Sequence, residues 1–408
     1  MDGAELDDPA GRPRLRSLRA ERVTSDGRPG LALSCPLELC EPVFVPRALL
    51  PVLTRMDGDH TAAEIAALAT RDLRRPIDAG AVAAIAADLD RRLLLASPRF
   101  VAARDRAVAA FLGQPTRPSR HHGSAGYPAG PTPLRAALRA MVPDPSPDAA
   151  AAPRGLIAPH IDYGRGGPGY AAAYGRLLQA PPADLYVVFG TGHQGPADAV
   201  TGLALDWATP LGTATTDRAF LARVHDRLGA PSPDDLLQHR AEHSLELQVV
   251  LLQHLAERRG LPPPRIAGFL CGALPSTAGD PTAEPWFGRT LAAFRDAAAA
   301  SGGTVCWLAG ADLAHVGPMF GDPEPVGGAA LQQLGLRDRS RLRHLEVGRP
   351  GAFHRETEGC GNADRVCSAA AITLVAALAG GSATLLHYGQ AAADDGHQAV
   401  TYCAASFG

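Results

Sequence analysis

From Gly155 onward, short apolar runs alternate with amphipathic helical patterns, and that alternation narrows the fold more than any other feature of the chain. The runs are Gly155–Ala158, Leu185–Gly190, Ile266–Cys271, Val305–Ala309, Thr384–Tyr388 and Val400–Ala404. Helical patterns at Asp217–Leu228, His243–Arg258 and Trp286–Ala299 separate them. Each run is apolar on both faces, as in a strand covered by helices on each side. The expected fold class is therefore α/β, a central sheet flanked by helices. Ligands of such sheets bind beyond the carboxyl ends of the strands. Ser368–Leu386 is uncharged and near membrane-spanning length, but Gly380-Gly381 interrupts it. A buried helix followed by a strand is expected there, and no membrane span.

The N-terminal part has a different texture. Thr61-Ala-Ala-Glu64 is a capping box that opens a helix carrying Ile65 and Leu68. After Pro76 and Asp78, Val82, Ile85 and Leu89 recur at helical spacing. Leu93–Leu95 and Phe100-Val101, around Ser97-Pro98, suit a short β-hairpin. Two helices and a hairpin predict a small winged-helix-like α+β domain over residues 14–103. The string MDGDHTAAEIAAL resembles PqqD-like domains, which implies a peptide partner or a radical-SAM enzyme partner. Residues 104–116 are expected to be a linker, with the boundary near Gly113, and residues 117–408 a second domain. Pro/Gly-rich strings around 114–133 and 142–153 resist regular structure, apart from a short helix over Pro133–Met141.

Composition removes several functions. All 39 basic residues are Arg, so Schiff-base chemistry, pyridoxal-phosphate anchoring and a GK[ST] phosphate loop are excluded. A net charge of −3 gives no long-range field for nucleic acid or an anionic membrane. The 7 cysteines form no CxxC pair and no evident disulfide framework, which favours a reduced, cytoplasmic protein. The opening residues have no apolar core of a signal peptide.

His60 aside, every histidine lies after residue 120. Several follow strands directly: His160 after LIA, His193 after LYVVFG, and Asp312 and His315 after VCWLAG. Cys367 opens an apolar helix beside Arg365, a setting that favours a thiolate. Imidazole and thiolate suit iron, copper and zinc. At helical spacing Glu242 and Glu246 share a face beside His243, which is either a general base or part of a first turn rich in carboxylates.

APHIDY, FGTGHQG, AEHSLELQ, GADLAHVGPMFGD and DRVCSAAAI, in that order, resemble the Memo family, whose bacterial branch is called AmmeMemoRadiSam system protein B. HHGSAGYPAGPTPLRAAL is similar to its N-terminal segment, so the resemblance covers about residues 117–408. It implies a fold shared with class III extradiol dioxygenases and a pocket for iron or copper. The implied metal ligands are His160, His193 and Cys367, with Asp312 and His315 adjacent and His243 close by. Two departures stand out: Ile161-Asp162 replaces a small pair after the first histidine, and His193-Gln194 replaces paired histidines.

The expected function is metal-dependent redox or oxygen chemistry, with His243, Asp312 and His315 as catalytic groups. A thiolate ligand favours one-electron redox over catechol chelation, so ring cleavage is not expected. The alternative is a non-catalytic peptide-binding or scaffold protein that keeps the pocket. A metal-assisted hydrolase ranks last, because no GxSxG-type nucleophile motif is present.

Overall fold

The computed structural model describes residues 11–121, 126–144, 150–195 and 199–408. The chain's opening string and parts of both Pro/Gly-rich strings lie outside these residues. The chain divides into two compact units after Gly113.

The first unit is α+β. Strands Arg19–Ser25, Arg28–Ser34 and Val43–Pro46 form an antiparallel sheet. Helices Leu50–Leu53, Ala62–Leu73, Ala79–Arg91 and Pro98–Leu112 follow it in the chain. The capping box is formed: Thr61 Oγ1 accepts from the Glu64 N–H at 3.3 Å, and Glu64 accepts from the Thr61 N–H at 2.7 Å. Ile65, Val82 and Leu89 are buried in its core with Val45, Leu94 and Leu95. Two expectations fail. No hairpin spans residues 93–101, because Ser97 Oγ accepts from the Phe100 N–H at 3.2 Å and Pro98 occupies the first helical position. Ser-Pro is a helix start here, the proline losing only an N–H that would be orphaned anyway. Residues 104–112 continue that helix and are not linker.

In the second unit, eight strands form one sheet among the described residues. Its centre is parallel, in the order Gly155–Ala158, Val305–Gly310, Leu185–Thr191, Ile266–Cys271. Ala399–Phe407 joins antiparallel on one side and Val200–Gly202 on the other. Asp312–Val316 and Ala383–Ala392 both pair with Ala399–Phe407.

The alternation of side chains along the strands builds two cores. Val187, Phe189, Trp307 and Ala309 face one, with helices Ala369–Ala379 and Pro285–Ala300. Tyr186, Val188, Cys306 and Leu308 face the other, with helices His243–Arg258 and Tyr163–Leu178. A large central sheet flanked by helices is thus the architecture of this unit. The uncharged stretch becomes helix Ala369–Ala379 and strand Ala383–Ala392. Among the described residues no helix is long and apolar enough to cross a membrane.

Register brings the strand ends level: Gly310 lies opposite Ala158, and Thr191 opposite Cys271. A Cβ on Gly310 would stand 2.5 Å from the Ser244 carbonyl oxygen. Glycine there lets the start of helix His243–Arg258 press against the strand ends.

Candidate metal centre

His160 and His193 follow the carboxyl ends of two central parallel strands, and Asp312 and His315 lie in the strand Asp312–Val316 that follows a third, Val305–Gly310. Helix His243–Arg258 begins over that end with Glu242 as its N-cap, whose carboxylate accepts from the N–H groups of His243 and Ser244, each at 2.9 Å. These elements bring one potential ligand atom each from His160, His193 and His243 within 4.8 Å of one another. Metal–nitrogen bonds of about 2.0–2.1 Å hold two donors no more than about 4.2 Å apart. The three donors would have to draw closer together to share one ion.

Hydrogen bonds decide which nitrogen each ring offers. His160 Nδ1–H donates to the Gly310 carbonyl at 3.0 Å, leaving Nε2 to the pocket. His193 Nδ1–H donates to Glu242 at 3.0 Å, with the same result. His243 Nδ1 lies 3.3 Å from that carboxylate. Ring orientation by a carbonyl or carboxylate on the far nitrogen is the usual support of a metal-binding histidine.

Cys367 stands against this group, its Sγ 3.5 Å from His160 Nε2. Burial works to raise its pKa, but His160 and His193 outweigh burial and bring it down to about 6. For His193 burial acts downward, yet Glu242 and Cys367 carry its pKa above the ordinary value. Burial pushes His243 down to about 3, so its ring is neutral at physiological pH. Asp312 Oδ1 accepts from the His160 N–H at 2.9 Å, and Oδ2 lies 3.5 Å from His160 Nε2. Burial raises the Asp312 pKa to about 6. Burial lowers that of His315, whose ring lies edge-on to Phe320.

These groups open into a pocket of about 460 Å³. His160, His193, His243, Asp312 and His315 line its polar side, and Leu247, Met319, Phe320 and Val400 its apolar side. Asp162 is also at the wall, where it caps helix Tyr163–Leu178 and pairs with Arg165 at 2.5 Å. Cys367 opens instead to a neighbouring cavity, with Thr191 and His354. On that side, Ser368 Oγ lies 3.3 Å from Cys367 Sγ and 2.8 Å from Thr191 Oγ1.

All six candidate residues from the sequence therefore gather at one place, but their grouping differs from the expectation. His243 is the third member of the tight cluster, and Cys367 borders it. Sequence reasoning gave two residues no part in orienting or lining the pocket. Glu242 is one; its signal was a glutamate at an N-cap, where Ser, Thr, Asp or Asn is usual. The other is His121, which lines the pocket with its ring 5.4 Å from that of His243.

A family model described as Memo-like protein matches residues 117–406. A MEMO1 family protein of Methanococcoides burtonii is 39% identical over 101 residues, covering 25% of this chain and 36% of that protein. One from Pyrococcus horikoshii is 27% identical over 168 residues, 40% of this chain and 54% of its own length. One from Thermus thermophilus is 29% identical over 240 residues, 58% of this chain and 66% of that protein. The chain thus spans between about a third and a half of the first two relatives it matches.

Proposed function

This chain belongs to the Memo-like protein family, and from that premise we propose that its pocket holds a non-haem iron or copper ion for redox or oxygen chemistry. The observation that carries the reading is the convergence of three imidazoles whose far nitrogens are engaged by Gly310 and Glu242. In this reading His160, His193 and His243 hold the ion, and Cys367 is a thiolate beside it, able to serve as a further donor. The ion supplies electron transfer and Lewis acidity. The protein's part is to bind, orient and move protons. Leu247, Met319, Phe320 and Val400 receive an apolar body and exclude water from it. Asp312, with its pKa near 6, exchanges a proton close to neutral pH next to His160, and His315 relays it towards the apolar wall. Thiolate character at Cys367 favours one-electron steps, so ring cleavage is not part of the proposal. The sheet belongs, in this reading, with the class III extradiol dioxygenases.

The N-terminal unit, read as winged-helix-like and PqqD-like, would deliver a peptide or recruit a radical-SAM partner in the cytoplasm. The exposure of Cys367 to a separate cavity favours a second reading, a ligand-binding protein in which no ion turns over.

Anaerobic loading with Fe(II) or Cu(I), followed by metal quantification, separates the two. About one ion per chain is expected for the native protein, with little in a His160→Ala/His193→Ala variant, and electron paramagnetic resonance should follow its oxidation by O₂. Native protein that cannot be loaded leaves the binding reading.

A further inference from the structure

Cys35 and Cys40 bracket the loop joining strands Arg28–Ser34 and Val43–Pro46. Those strands pair antiparallel with Leu33 opposite Val43, so the loop turns back and its two ends face each other. Glu38, at a φ of 50°, makes the turn, and its N–H donates to the Cys35 carbonyl at 3.0 Å. Both thiols are free, and the turn sets them at its two ends.

A cation is fixed at one of them. Arg16 Nη2 lies 3.1 Å from Cys35 Sγ. The same side chain donates from Nε to the Leu93 carbonyl at 2.8 Å, and its guanidinium stacks 3.8 Å from the centre of the Phe100 ring. Three contacts thus hold a positive charge where negative charge develops on an attacking sulfur. Cys40 is different, since burial, and then Cys35, push its thiol up to about 11. A sulfur backed by a cation, across a tight turn from a second thiol that keeps its proton, is the arrangement of an exchanging dithiol.

We propose that Cys35 and Cys40 form a reversible disulfide, in which Cys35, backed by Arg16, attacks an oxidised low-molecular-weight disulfide and Cys40 resolves the product. In the first step Cys35 gives its proton to solvent, its sulfur bonds to one sulfur of the oxidant, and the other leaves as a thiolate. Cys40 then gives its proton to solvent and attacks Cys35 sulfur, releasing the second small thiolate. The protein loses two electrons and the small disulfide gains them. Cys35 is only 6% exposed, so the loop must open for the first step. Closure then locks the turn between the two strands and takes Cys35 sulfur away from Arg16.

The test uses the full chain in glutathione buffers of graded oxidised-to-reduced ratio, quenched with iodoacetamide and mapped by peptide mass spectrometry. Oxidising buffers should yield the peptide containing both cysteines two hydrogens lighter and unalkylated, and reduced glutathione should reverse this. Cys40→Ser should stop at a lasting glutathione adduct on Cys35. Arg16→Gln should slow oxidation by roughly tenfold, with an unchanged far-ultraviolet circular dichroism spectrum. Native protein whose Cys35 and Cys40 both remain alkylated across the range overturns the proposal, with no variant needed. An adduct found on Cys40 in place of Cys35 overturns the order of steps.

Discussion

The carboxylate of Glu242 lies 3.0 Å from Nδ1 of His193, and this contact determines the nitrogen that His193 presents to the pocket. The same carboxylate caps the helix that carries His243. One side chain therefore orients two of the three clustered imidazoles. Glu242→Gln keeps an acceptor for the cap but loses the charge. Such outer partners typically contribute 10–100-fold to metal affinity, and a loss of about that size is expected in a chelator-competition titration, with helix content preserved.

His243 and Cys367 compete for the place of third donor, and copper discriminates between them. A Cu(II)–thiolate bond produces an intense visible charge-transfer band, whereas imidazole ligands alone do not. Cys367→Ser should leave metal stoichiometry close to native, while His243→Ala should lower it as far as His160→Ala does. A strong band in native protein that vanishes in Cys367→Ser would show instead that the thiolate is in the coordination shell.

Arg117 and Glu246 form an ion pair with no exposed side-chain surface on either partner. Glu246 also accepts from Tyr127 Oη at 2.6 Å and from the His121 N–H at 3.0 Å, which fixes the segment carrying His121 at the pocket wall. Removing one partner of a buried pair leaves an uncompensated charge and costs about 3–5 kcal/mol. Glu246→Ala should lose about that much stability in urea titration, and Glu246→Gln less.

Two buried histidines away from the pocket should give the protein an acid-sensitive limb. Burial pushes His239 down to about 3 and His254 to about 4. Between the unfolded value of about 6.5 and those values, the unfolded chain takes up protons that the folded one refuses. Their stabilising contribution is complete above about pH 6.5 and lost as pH falls through this window, by up to about 1.4 kcal/mol per unit and group. Urea midpoints measured from pH 7.5 to 5 should fall, and His239→Gln should make the slope shallower.

The parallel core was legible because strands covered on both faces must be apolar throughout. Gly155–Ala158 and Ile266–Cys271 begin and end as their composition suggests. The site was legible for the same reason, since polar residues immediately after such strands have to lie at the sheet's edge. Other parts depend on tertiary contacts that no local pattern reports. Helix Tyr163–Leu178 begins with YGRGGPGY, a poor helical string. A Cβ on its Gly169 would come within 2.6 Å of Pro159 Cγ and 2.9 Å of the Tyr402 ring, so close packing required glycine at the expense of propensity. Glu242 was visible as a carboxylate, but its grip on His193 spans 49 residues. The segment around Ser97-Pro98 was open to two readings, and the N-cap decided between them.

The level strand ends carry a consequence for folding. His160 and Cys367 touch across 207 residues of chain, and neither borrows its place from local structure. The carbonyl of Gly310 that orients His160 also lies 150 residues away, so the oriented cluster depends on contacts of high sequence separation, which slow folding. An ion held by all three oriented imidazoles would therefore favour the folded chain over the unfolded one. Its binding would draw the population towards the completed state by mass action.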